Sequence, residues 1–298
     1  VAIGAKSHLV RLLTGSHITS MNIAPNITLN IAPDITLNQL PLIGLCIVGT
    51  AFFVFLAVQI SAPVRGYVLP RGRRRLTNLS LFFIDTAAIR LLLPLALVGA
   101  AVLAQERGWG LFNVLEAPAW LAFTATLLVL DLALYVQHWA THRVPLLWRL
   151  HRVHHTDRDF DVTTAARFHP AEILLSMAYK CAVVIALGAP VMAVFVFEVG
   201  FAVATLFTHA NFALPARMDK MVRKLIVTPD MHRIHHSARM VETNSNYGTT
   251  LSLWDRLFGT YRALPHDPQA QMTIGLEEWQ DERPAQLGFA LKQPFIGK

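Results

Sequence analysis

Histidine is the residue type in this 298-residue chain whose number and spacing could do chemistry. Ten of its 13 histidines lie between His138 and His236, and eight of those form three groups. These are His138-Trp-Ala-Thr-His142, His151-Arg-Val-His154-His155 and His232-Arg-Ile-His235-His236. Positions i, i+3 and i+4 share a face of an α-helix, so each group turns its imidazoles to one side. Eight imidazoles exceed what one metal ion of ordinary coordination number takes, and two metal ions are the economical reading. His209, in Thr208-His-Ala-Asn211, is a candidate further ligand at the inner end of an apolar run. His169, in Phe168-His-Pro170, is either a ligand or an outer hydrogen-bond partner that orients one. His8, His17 and His266 stand alone and read as ordinary surface or core residues.

Carboxylates and amides commonly fix the ring orientation of ligating histidines. Asp131, one heptad before His138, together with Asp255 and Asn211, is a candidate for that role, as is Asp157; Asp230 reads as a helix cap. No catalytic residue separate from the ligands stands out. Imidazole suits zinc, copper, iron and nickel, so ligand type leaves the metal open. Structural zinc sites close with four ligands, often cysteine, which fits poorly here. Cys46 and Cys181 are far apart inside apolar segments, supporting neither a disulfide framework nor a thiolate site. The carboxylate-rich sites of soluble di-iron bundles are also a poor match. Neutral imidazoles leave metal charge uncompensated, which favours an electron-poor centre suited to oxidising unactivated C–H bonds.

The elements that must position these groups are membrane helices. Hydrophobic residues make up 54% of the chain and charged ones 15%, against roughly 25% charged in an average soluble domain. A bilayer core needs about 20 mostly apolar residues per helix. Segments 40–60, 79–104 and 118–136 meet or approach that length, as does a closely spaced pair, 173–187 and 191–207. Gly188-Ala189-Pro190 joins the pair, which is either a tight transmembrane hairpin or a re-entrant excursion. The expected fold is an all-α integral membrane protein, a bundle of four to five membrane helices with a cytosolic helical cap carrying the histidines. Lysine and arginine favour cytoplasmic loops, so the link holding Arg65, Arg71, Arg73, Arg74 and Arg75 should lie inside. Counting crossings from there brings every histidine group to the cytoplasmic side. Lys180 and Glu198, within the paired segments, read as a polar lining or a mutual pair. Thr228-Pro229-Asp230 predicts an N-cap followed by proline at the first helical position, and hence a helix under His232 to His236.

Three regions are expected: an N-terminal tail over 1–38, a membrane domain over 39–264 and a polar C-terminal tail over 265–298. The first contains a near-duplication, Asn22-Ile-Ala-Pro-Asn-Ile-Thr-Leu and Asn30-Ile-Ala-Pro-Asp-Ile-Thr-Leu, and lacks the uncharged run of a signal peptide. Val at position 1 suggests processing, and Asn26-Ile-Thr28 matches a glycosylation sequon. The net charge of +7 is not distributed in a nucleic-acid-binding pattern.

At its histidine groups the chain resembles the fatty acid hydroxylase and sterol desaturase superfamily, whose pattern is HxxxH, HxxHH and a later HxxHH. The resemblance runs from about Arg74-Arg-Leu-Thr-Asn-Leu79 to about Tyr261 and includes Arg167-Phe-His-Pro-Ala-Glu172. It continues through Asn246-Tyr-Gly248 to Trp254-Asp-Arg-Leu-Phe-Gly-Thr260. It implies metal ligation by His138, His142, His151, His154, His155, His232, His235 and His236, with His209 as a further ligand. It also implies a helical cap holding two iron ions, dioxygen as co-substrate, and hydroxylation or desaturation of a fatty acyl chain, sterol or related lipid. The chain has no dinucleotide fingerprint, haem-attachment motif or iron–sulfur cysteine pattern. Electrons must then come from another protein, a ferredoxin or cytochrome b5-type donor. Arg149, Arg152 and Arg158 are candidates for docking its acidic surface, with solvated charge the alternative. A histidine-rich metal transporter is the competing class, although intramembrane transport sites usually sit near the bilayer midplane on interrupted helices.

Overall fold

The computed structural model describes residues 36–93 and 96–296. The duplicated segment up to Ile35, its sequon, His8 and His17 lie outside them. Within the segment before Pro41, Thr36 precedes a 3-10 turn over Leu37–Gln39, and Gln39 Oε1 accepts from the Thr36 amide at 2.8 Å. From Pro41 onward the chain forms one compact unit.

Eight helices matter for the site: α1 (Leu40–Ser61), α2 (Arg71–Leu92), α3 (Ala96–Arg107), α4 (Ala119–Arg143), α5 (Pro145–His155), α6 (Pro170–Leu187), α7 (Val191–His209) and α8 (Pro229–His235). Among the described residues there are no strands, only isolated bridges between Ile226 and Leu251 and between Ser237 and Ile274. The fold is therefore all-α, as expected. Five stretches are long and apolar enough to cross a membrane: Leu37–Ser61, Arg71–Val114, Ala119–Arg143, Pro170–Leu187 and Val191–His209. Leu42, Leu45 and Phe53 on α1, Leu91 on α2 and Trp120 on α4 remain largely exposed. An apolar surface of that extent is what a lipid-facing bundle presents.

Proline sets the breaks that fold the cap. A residue before proline is pushed out of the α region, and Val144 accordingly adopts φ −92°, ψ 116° and ends α4, while Pro145 opens α5. The same device opens α6 at His169-Pro170 and α8 at Thr228-Pro229, where proline loses no helical hydrogen bond. Thr228 caps α8 as predicted, its side chain accepting from the Met231 amide. Gly188 ends α6 in the left-handed conformation, φ 63°, ψ 44°, which costs glycine little. The pair α6 and α7 is not a tightly zipped hairpin: α6 packs chiefly on α3, α2 and α4, and α7 on α4, α8 and α3. Lys180 sits with its Nζ 5.9 Å from the Phe201 ring centre, and no ion pair joins it to Glu198 among the described residues.

Two sequence expectations are corrected here. The region after Leu264 is not a surface tail. Met272, Ile274, Leu276, Trp279, Ala285 and Ala290 are buried; Met272 and Ile274 pack on Phe160, and Ala290 packs on Leu81 and Val153. The three arginines read as donor-docking candidates or solvated charge hold this segment instead. Arg149 donates to the Pro294 carbonyl, Arg152 to those of Gln293 and Ile296, and Arg158 to Gln280 Oε1 and the Asp281 carbonyl. Local sequence could not reveal this, because the partners lie more than 120 residues away and four of the five are backbone carbonyls. Among the basic residues expected between the first two membrane segments, Arg74 lies in the first turns of α2. It is fully buried, with Nη1 2.6 Å from Asp157 and Nη2 2.5 Å from Asp161.

Candidate metal centre

The break at Val144-Pro145 folds α5 back against the end of α4, so the first two histidine groups face each other. The C-terminal end of α7 delivers His209 and the short α8 closes over it with the third group. Nine histidines then assemble into two sets. His138, His142, His151, His155 and His235 form one, and His154, His209, His232 and His236 the other; in each set, ligand nitrogens lie within 4.8 Å of one another. The sets are adjacent, with the rings of His155 and His236 stacked across their boundary at 4.6 Å. His138 and His142 are half-buried and the other seven are buried.

For five of the nine rings, a hydrogen bond at Nδ1 fixes which nitrogen faces inward. Nδ1 of His138 lies 2.6 Å from the Tyr247 carbonyl, that of His235 2.7 Å from the Ser245 carbonyl, and that of His151 2.5 Å from Glu172 Oε1. In the second set, His154 Nδ1 lies 3.1 Å from the Arg167 carbonyl and His209 Nδ1 2.8 Å from the Thr205 carbonyl. A carbonyl only accepts, so Nδ1 carries the ring proton and Nε2 presents a bare lone pair. The Nε2 atoms of His138, His151 and His235 are buried without a partner. In the second set, Nε2 of His154 and Nε2 of His209 stand 3.1 Å apart, and His232 Nε2 stands 3.1 Å from the same His209 atom.

Two facing lone pairs make no hydrogen bond, and burial opposes resolving the conflict with a proton. Desolvation, reinforced by the neighbouring imidazoles, pushes His154, His155, His232 and His236 well below the ordinary histidine range. Burial likewise brings His235 down to about 3. Neutral rings with convergent lone pairs are the donor set that a divalent transition metal requires. The residues present therefore fit two metal ions, one per set. Aromatic walls close the site: Phe168 stacks on His154 at 4.4 Å, Phe160 lies against His209 and His236, and Tyr247 against His138 and His142.

His169 joins neither set. Its Nδ1 accepts from the Ala171 amide, capping α6, and its Nε2 faces the Leu291 carbonyl at 3.3 Å. The three candidate orienting side chains do not touch a ligand-set imidazole. Asp131 accepts from Trp254 Nε1 at 2.7 Å, and Asn211 exchanges hydrogen bonds with the Arg65 backbone. Asp255 accepts from the amides of Tyr247 and Gly248, so it acts one step further out by holding the peptide whose carbonyl meets His138. Asp157 binds Arg74 and Asn78, and Asp230 pairs with Arg233. The carboxylate that does meet a ring is Glu172, which sequence reasoning did not single out. Its signal was its place in the first turn of a helix opened by His169-Pro170.

Fold and site together define an all-α multi-pass membrane protein with two adjacent polyhistidine sets at one end of its helices. Residues 123–260, which hold the three histidine groups, match the fatty acid hydroxylase family model, and this supports the chain's resemblance to the fatty acid hydroxylase superfamily. It is 31% identical over 148 residues to the ornithine lipid hydroxylase OlsE of Rhizobium tropici, covering 50% of this chain and 44% of that one. Human alkylglycerol monooxygenase is 28% identical over 162 residues, 51% of this chain and 33% of its own. Rat cholesterol 25-hydroxylase is 27% identical over 143 residues, 47% of this chain and 46% of its own. The chain thus spans less than half the length of these relatives. No solved structure matches it at a significant level.

Proposed function

We propose that this protein is a membrane-bound, dioxygen-dependent di-iron enzyme that hydroxylates a C–H bond of a lipid. The observation that carries the reading is the pair of neutral histidine sets whose Nε2 lone pairs converge in a buried, aromatic-walled site. The eight box histidines and His209 would hold the metals. When bound, the irons would supply reductive activation of dioxygen. The protein's own part is to keep the imidazoles neutral, fix five of the nine rings through their Nδ1 partners and exclude water from the oxidising centre. Because the relatives bear the names hydroxylase and monooxygenase, hydroxylation is preferred here over desaturation. The electron donor is a separate ferredoxin or cytochrome b5-type protein, and the histidine end faces the cytoplasm. This sequence carries no redox-cofactor motif, which supports the first, and Arg65 in the α1–α2 link with Arg71, Arg73 and Arg75 in the first turns of α2 supports the second.

Metal analysis of the detergent-purified protein, with mass spectrometry of lipids from expressing cells, tests the proposal. The expected result is about two irons per chain, one per histidine set, and a lipid gaining one oxygen with wild type and not with His235→Ala. A protein that retains only zinc after iron reconstitution, with an unchanged lipid profile, would overturn it.

A further inference from the structure

Beyond the five-histidine set lies an open cavity of about 590 Å³ whose chemistry the metal ligands do not explain. Its wall is continuous with the site. Arg143, the last residue of α4, follows His142 directly, and Ser245 uses its carbonyl to hold His235 Nδ1. Asn244 lines the cavity as well. Arg262 reaches the cavity from the opposite chain segment and is rigidly mounted, its amide donating to Asn246 Oδ1 at 2.8 Å and its carbonyl accepting from Asn246 Nδ2 at 3.0 Å. Asn246 adopts φ 53° to make this clasp, a conformation asparagine tolerates better than most residues.

The cavity is cationic, and one of its guanidinium nitrogens lacks a partner. No aspartate or glutamate lines it, and neither Arg143 nor Arg262 forms an ion pair among the described residues. Arg262 Nε is buried without a hydrogen-bond partner, a state that costs free energy unless a ligand fills it. Guanidinium groups suit phosphate and carboxylate oxygens through paired, charge-assisted hydrogen bonds. The lining also includes Val241 and Leu264, 65% and 76% exposed, with Met240 exposed beside them. A soluble anion has no use for such an apolar edge, whereas an amphiphile has both parts.

We propose that this cavity binds the anionic head group, phosphate or carboxylate, of an amphiphilic lipid. The binding claim stands on the cavity alone; that the bound lipid is the substrate rests on the function proposed above. A concave pocket of head-group size with an apolar edge favours a lipid over the acidic face of a protein donor, which would need a broader exposed charge.

The test is lipid retention by the full-length protein in neutral phosphatidylcholine nanodiscs, with dioleoyl phosphatidate, oleate and dioleoylglycerol as probes. Wild type should retain at least one of the two anionic probes about tenfold more tightly than dioleoylglycerol. Phosphatidate alone would assign a phosphate site, and oleate alone a carboxylate site. Arg143→Gln and Arg262→Gln should each reduce the preference and the double variant abolish it, while Arg73→Gln, at an exposed position, should not. Equal retention of all three probes by wild type would overturn the proposal without any variant having to fold. So would a double variant that binds as wild type does, including one that impairs only electron delivery. Iron content measured on the same samples reports separately on the di-iron reading. Low iron with intact anion preference would sink that reading and leave this one standing.

Discussion

At the scale of single residues, the site depends on groups that fix ring tautomers as much as on the rings. Four of the five fixed Nδ1 atoms are held by backbone carbonyls, which mutation of the carbonyl-bearing residue barely alters; Glu172 is the exception, at 2.5 Å from His151. Replacing it with glutamine keeps the shape but removes the charge that makes the His151 ring a better donor. Partners of this kind typically contribute 10–100-fold in metal affinity. Glu172→Gln should therefore lose metal to a chelator at roughly 10–100-fold lower concentration, in a competition titration that leaves the helical circular dichroism unchanged. A second residue-scale expectation concerns acid. Burial would raise the Asp161 carboxyl, but the Arg74 guanidinium outweighs it and holds it at about 2. Because its folded value is depressed, the stability it contributes is fully present above the unfolded value of about 3.9 and is lost as pH falls toward 2. Asp161→Asn should flatten the acid branch of the stability curve between those limits, measured by thermal melts at stepped pH.

At the scale of elements, much was legible because proline, glycine and apolar runs act locally. The cap at Thr228 and the turn at Gly188 are written in a few adjacent residues and were read there; the break at Val144-Pro145 is as local but was not named. The spacing of the histidines gave the faces. The tautomer-fixing carbonyls of Tyr247, Ser245, Arg167 and Thr205 were not legible, because any residue supplies a carbonyl and only the fold aims it. The contacts of Arg149, Arg152 and Arg158 were not legible for a related reason: a surface arginine and one serving a distant segment read alike in sequence. Glycine provides a sharp test at this scale. Gly108 and Gly188 have nearly the same φ, 65° and 63°, but a Cβ on Gly108 would meet nothing within 4 Å. On Gly188 it would meet the Trp109 carbonyl oxygen at 2.5 Å and Asn113 Nδ2 at 2.6 Å. Alanine at either position incurs the left-handed penalty of about 1–2 kcal/mol. Only Gly188→Ala adds a clash with backbone, so its loss should be larger by about 1–3 kcal/mol. Melting of the two variants side by side checks this, and equal melting temperatures would contradict the turn geometry.

At the scale of the whole molecule, the histidine end is closed by parts of the chain remote in sequence. The link between α1 and α2 is fastened to the loop after α5: Asp159 accepts from the amides of Val68 and Leu69, and Arg74 pairs with Asp157. Arg65 in that link donates to the carbonyls of Gln269 and Met272, and Arg233 of α8 donates to Gln269 Oε1. Next to the metal ligands, the Gly275 amide donates to the His236 carbonyl and the Ala238 amide to that of Thr273. The C-terminal segment is thus a wall of the site. Its energetic weight can be set against the fold's. Full burial of a large apolar side chain is worth roughly 1.5–3 kcal/mol, and Met272, Ile274, Leu276 and Trp279 are all buried. Even reduced for a compact unfolded state, their sum is comparable to a typical domain's net stability of about 5–15 kcal/mol. A chain ending at Leu264 retains all nine clustered histidines and every membrane stretch, yet it loses this wall. It should still insert into membranes, but fail to retain iron after chelator challenge and lose the cooperative melt of the cap. If it kept both, the segment would be a dispensable tail, and closure of the metal site would have to reside in the helices alone.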